Sequence, residues 1–73
     1  MIKLHLLLIP QFQPAVLAMD GDLDLYDRQI YVQNYMFFRY GVYAHYEAWA
    51  LSAMTVLVSE EDAVILKMKG WVW

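Results

Sequence analysis

A chain of 73 residues of which 62% are apolar carries more oily side chain than one small core can hide. A domain of this size buries only about 60% of the surface its unfolded chain exposes, so large groups stay uncovered whenever it stands alone. The excess is not arranged as a membrane span, because every window of about eighteen residues is broken by a charge or a proline. The longest contender, Tyr40 to Val58, holds His45 and Glu47 near its middle, where ionisable groups are costly in lipid. Met1 to Ala18 opens like a secretory leader, with Lys3 ahead of Leu4 to Ile9 and small residues at Ala15 and Ala18. His5, Pro10, Gln11, Gln13 and Pro14 interrupt that pattern. The expectation is one domain over residues 1–73 that covers its surplus with protein, not with a bilayer.

Charge narrows the class of partner. The formal net charge is −3 and the pI is near 5.0. Nucleic-acid binding draws on clustered Lys and Arg that release counterions, and here Lys3, Arg28, Arg39, Lys67 and Lys69 form no run. A nucleic-acid partner is therefore disfavoured. Cysteine is absent, which removes disulfides, thiolate metal sites and cysteine nucleophiles together. That absence does not fix a compartment, since extracellular proteins also do without cysteine; the reading leans to the cytoplasm.

Local patterns predict an α+β fold. Ile2, Leu4, Leu6 and Leu8 alternate with Lys3 and His5, the period of a half-buried N-terminal strand, and Pro10 ends it. Residues 10–14 read as an extended arm, because proline biases its predecessor away from helix, with Phe12 as the arm's anchor. Ala15 to Met19 suits a turn of helix or a strand equally, and Asp20-Gly21-Asp22-Leu23-Asp24 is a turn on composition.

Two templates compete from Leu25 to Tyr40. A helix would have Asp24 at its N-cap, Asp27 three residues on, Arg39 in the last turn and Gly41 beyond, yet its apolar residues fall all round the wheel. As strand, Ile30, Val32, Met36, Phe38 and Tyr40 share one face, and Gln29, Tyr31, Gln33, Tyr35, Phe37 and Arg39 the other. The β-branched and aromatic content favours one or two central aromatic strands. Alanine-rich residues 43–54 suit a helix. Thr55 to Val58 and Ala63 to Lys69 flank a polar loop and predict a C-terminal hairpin, the Val-Ile run outweighing the helix start that Ser59 and the acids after it would make. On that reading Lys67 and Lys69 form a charged outer face that discourages edge pairing. The result is a small antiparallel sheet with one helix around residues 43–54; an all-α fold is the alternative.

Three groups of residues are candidates for chemistry. Asp20, Asp22 and Asp24 stand at the first, third and fifth places of a calcium loop, a spacing that suits a hard cation. The rest of that loop fails: Leu25 stands where glycine is needed and Tyr31 where a bidentate glutamate belongs. A solvated turn whose acids cap the next element is the preferred reading, and no cofactor is expected. His45 and Glu47, two residues apart, share a face only in a strand; they could form an acid–base pair, but no activated nucleophile stands near them in sequence.

The aromatic inventory is the third group. Tyr and Trp bring large contact area with few rotors to freeze and recur at interface hot spots. On the strand reading Tyr31, Tyr35, Phe37 and Arg39 share a face, while Phe12 in the arm and Trp71 and Trp73 in the tail supply further anchors; Phe38, Tyr40 and Tyr46 are assigned to the core, with Met36, Met54 and Met68 filling its gaps. The function expected is a non-enzymatic interaction or assembly subunit that buries an aromatic surface against itself or another protein. The alternative is a small-molecule binding domain or enzyme that uses the aromatic face with His45 and Glu47.

Overall fold

Thr55–Val58 (β3) organises the sheet because both of its edges are paired and Val56 and Val58 are fully buried. It lies between Ile2–His5 (β1) and His45–Glu47 (β2), giving the order β1-β3-β2 with both pairings antiparallel. Register places Leu4, Val56 and Tyr46 side by side on the inner face, where all three are buried. Lys3, Leu57 and His45 form one row of the outer face, and His5, Thr55 and Glu47 the next. The molecule is described by a computed structural model over residues 1–47 and 54–73.

Helices cover the inner face. Gln13–Ala18 (α1) follows two short 3-10 turns at Leu6–Leu8 and Pro10–Phe12. Leu25–Tyr40 (α2) is the long element, and Glu60–Met68 (α3) returns after β3. The core they enclose is built on Phe12, Leu4, Leu6, Ile9, Met36 and Leu66. Phe12 meets Tyr35 and Trp71 edge to face at 5.4 and 6.1 Å, and Trp71 meets Tyr40 at 5.4 Å. Among the described residues, no helix is long and apolar enough to cross a membrane.

The α+β class and the small antiparallel sheet stand, as does the strand at Thr55–Val58; the N-terminal strand, expected from Ile2 to Ile9, ends at His5 and gives way to a 3-10 turn at Leu6–Leu8, and other placements are corrected. The segment expected as central aromatic strands is α2, because its ends are closed by hydrogen bonds that a strand does not use. The Asp24 carboxylate accepts the Asp27 N–H at 2.8 Å. Gly41, at φ 69°, lets its own N–H reach the Phe37 carbonyl at 2.8 Å and that of Val42 reach Met36 at 3.4 Å, a left-handed stop that suits glycine.

The C-terminal hairpin is likewise replaced by β3 followed by α3. Ser59 Oγ accepts the Asp62 N–H at 3.1 Å, Glu60, Glu61 and Asp62 sit against the positive end of the helix, and Gly70 at φ 95° closes the other end. Lys67 and Lys69 therefore belong to a helix end and not to an outer sheet edge. Residues 10–14 are no extended arm: they wind through a 3-10 turn into α1, with Pro14 in the first helical turn, where its missing N–H costs nothing. Of the helix expected around residues 43–54, residues 45–47 are strand β2 instead, and residues 48–53 lie outside the described residues. Val42, Ala44 and Tyr46 alternate inward there, and that period of two sets the strand against the alanine content.

Candidate functional site

Helical geometry redistributes the residues that the strand reading put on one face. Tyr31, Tyr35 and Arg39, spaced by four, run along one side of α2. Their rings and guanidinium form a stack: Tyr31 lies parallel to Tyr35 at 6.5 Å, and Arg39 sits 5.8 Å from the Tyr35 centroid. Tyr31 and Tyr35 turn toward α1 and the core, while Arg39 is exposed. The Tyr31 hydroxyl donates to the Ala15 carbonyl at 2.8 Å, and Tyr35 touches both Phe12 and Tyr40. Burial, together with the neighbouring Tyr40 phenol, holds the Tyr35 hydroxyl above its ordinary value of 10.0, against the opposing pull of Arg39.

Phe37 points elsewhere. Its ring packs against Phe38 at 5.3 Å and Tyr43 at 5.1 Å, and the three are 40%, 79% and 74% exposed. Tyr43 is held beside the helix end because its N–H donates to the Asp62 carboxylate at 3.3 Å and because Val42 and Ala44 on either side of it are buried. Between the Phe37 and Tyr43 rings and Gln33, Asn34, Val42 and Ala44 lies an open cleft of about 330 Å³. Toward the N-terminus of the same helix, Tyr26 and Ile30 are 69% and 39% exposed. The accessible surface of 4751 Å² is close to the ~4,700 Å² of an ordinary folded monomer of this mass, so the open rings are not a product of loose packing.

The remaining aromatic anchors divide. Phe12 and Trp71 belong to the interior, at 0% and 3% exposure, which corrects their reading as partner contacts: both are consumed by the fold. Trp73 is half-open and lies at the end of the chain under Lys67, whose Nζ stands 4.8 Å from its ring centroid. It lines one cleft of about 320 Å³ with β1 residues and Leu8, and another of about 160 Å³ with α3. Tyr46 is buried and Tyr40 half-buried, as the core assignment required, whereas Phe38 and Met68 are among the most exposed apolar residues.

His45 and Glu47 share the outer face of the sheet. Glu47 reaches diagonally over β3 to Lys3 at 3.4 Å, so the carboxylate is engaged in an ion pair that ties the two edge strands. Tyr46, between them in sequence, faces the core, where burial raises its hydroxyl above 10.0 despite the Arg28 guanidinium nearby. The structure therefore does not assemble His45 and Glu47 with Tyr31 or Tyr35, which pack on the inner side. The acids of the turn are used locally: Asp20 accepts the Asp22 N–H at 2.9 Å, and Asp24 caps α2. Among the described residues, no three His, Asp or Glu side chains are grouped closely enough to hold a metal ion.

Comparison with protein-family models, with curated proteins and with solved structures finds no match for this chain. Sequence reasoning missed Tyr26, Ile30, Phe38 and Tyr43 as surface residues. The signal that would have found the first two is the spacing Tyr26, Ile30, Gln33, Phe37, a helical stripe that a period of two cannot reveal.

Proposed function

We propose that this protein is a non-enzymatic interaction or assembly subunit that binds protein through the open aromatic surface of α2 and Tyr43. The observation that carries this reading is the contact among Phe37, Phe38 and Tyr43: three rings packed on one another at 5.1 and 5.3 Å while 40–79% exposed. Phe38 and Tyr43, at 79% and 74% exposure, bury little of their rings beside a core that already holds Phe12 and Trp71. Contiguous apolar patches on small proteins mark interaction sites, and aromatic side chains supply most of the hot-spot energy in such contacts. The absence of a Lys- and Arg-rich run and the net charge of −3 direct the surface to protein, not to a polyanion.

A photo-crosslinking amino acid at position 38 tests the reading in cells that produce the protein. Irradiation is expected to give a discrete protein adduct, with itself or with another chain, that is absent when the label stands at exposed Glu61 and is lost on Phe37→Ser. Equal, diffuse labelling from both positions would overturn it. The cleft beside these rings is of the size that small ligands fill, and among the described residues that line it Tyr43 is the one titratable group.

A further inference from the structure

We infer that the occupant of this surface is a second copy of the same chain, docked along α2 in antiparallel orientation; the inference rests on the interaction reading above and names its partner. Tyr26, Ile30, Gln33 and Phe37 are spaced by four, three and four residues, so they fall in one line down the outer side of a 16-residue helix. That is the spacing of the seam along which two helices interlock, and among the described residues no element covers it: Tyr26, Ile30 and Phe37 are 69%, 39% and 40% exposed, with Gln33 half-buried.

The line is complementary to its own reverse. Turned end for end about a two-fold axis between Ile30 and Gln33, it sets Tyr26 opposite Phe37 and Ile30 opposite Gln33, the same pairs from either copy, as an isologous contact requires. In this register the Tyr26 ring of one copy approaches the 330 Å³ cleft bordered by Gln33, Phe37 and Tyr43 of the other. A hole beside the seam thus stands opposite a knob that the same seam provides.

Charge selects the antiparallel direction. Asp20, Asp22, Asp24 and Asp27 gather at the N-terminal end of α2 and Arg39 is near its C-terminal end, while the seam itself is uncharged. A parallel pair would set the acids of both copies together; the antiparallel pair separates them and opposes the two helix dipoles. Area agrees. At about 150–250 Å² for each whole ring, the exposed parts of Tyr26, Phe37, Phe38 and Tyr43 present on the order of 500 Å². Ile30, Gln33 and Asn34 bring that toward the about 800 Å² per partner of a standard stable interface.

Sedimentation of the purified chain across the micromolar range, with thiol pairing as the orientation test, decides the matter. Dimers are expected, and Ile30→Glu, which puts an unpaired charge in the seam, weakens them about a hundredfold or more, while Leu17→Glu, at a more open site off the seam, leaves them intact. The natural chain has no cysteine, so engineered thiols pair cleanly: a mixture of Tyr26→Cys and Phe37→Cys chains is expected to form a mixed disulfide under mild oxidation, and neither chain alone. A monomer at all concentrations, a dimer indifferent to Ile30→Glu, or disulfides between two Tyr26→Cys chains would each overturn the inference. A position-38 adduct with a different protein would overturn it too, yet leave the interaction reading standing.

Discussion

Phe12 and Phe38 show how little residue type says about role. Both are phenylalanines, but one is fully buried among Tyr35 and Trp71 and the other is 79% exposed. Phe12→Ala is expected to cost about 3–5 kcal/mol in urea unfolding, the range for emptying a core aromatic site. Phe38→Ser is expected to change the stability of the dilute monomer by no more than about 0.5 kcal/mol. Equal costs would show that the two rings are not divided between core and surface as described. Tyr46 and Tyr35 add a pH dependence. Burial raises both hydroxyls above 10.0, so the folded state holds these protons more tightly than the unfolded chain. The stability they contribute is complete below pH 10 and is lost as pH rises through the raised values. Thermal unfolding is therefore expected to stay level to about pH 9 and fall above 10, with a shallower fall in Tyr46→Phe. A midpoint that rose with pH in that range would contradict the burial assigned to these groups.

Capping decides what α2 and α3 are. Asp24→Ala is expected to cost about 0.5–2 kcal/mol through the loss of one N-cap bond. Gly41→Ala is expected to cost about 1–2 kcal/mol because a Cβ is unfavourable at φ 69°, although the space around that Cβ is empty. Urea midpoints check both, and unchanged midpoints would mean that the helix ends are set elsewhere. These caps were legible in the sequence, as were β1, β3 and the turn at Asp20 to Asp24. What the sequence obscured was the weight to give them. Val32, Tyr35, Val64 and Ile65 speak for strand by local propensity, and α2 shows apolar residues all round its wheel because one side packs on the core and the other is left open. A helix with two sticky sides has no clean amphipathic period, so its sequence fits alternation better. Residues 43–54 mislead the other way: their four alanines suggest helix, yet Val42, Ala44 and Tyr46 point inward at a period of two.

The folded chain closes its core and still keeps a ring cluster in water. The inequality between apolar content and burial capacity was legible from composition alone. The location of the surplus was not, because it depends on which way α2 turns. Of the anchors expected from sequence, Phe12 and Trp71 went to the interior, Tyr31 and Tyr35 to the flank of the core, Arg39 and Trp73 to the surface elsewhere, and Phe37 alone to the cluster with Phe38 and Tyr43. Hydroxyl-radical footprinting of the unaltered protein, dilute and then concentrated in its native extract, tests the central claim most directly. Tyr26, Phe37, Phe38 and Tyr43 are expected to be oxidised in the dilute protein and protected together in the extract, while Leu17 and Met68, exposed at 84% and 80%, react in both. Oxidation of the four rings to the same extent in both conditions would contradict the claim that this surface exists to be covered.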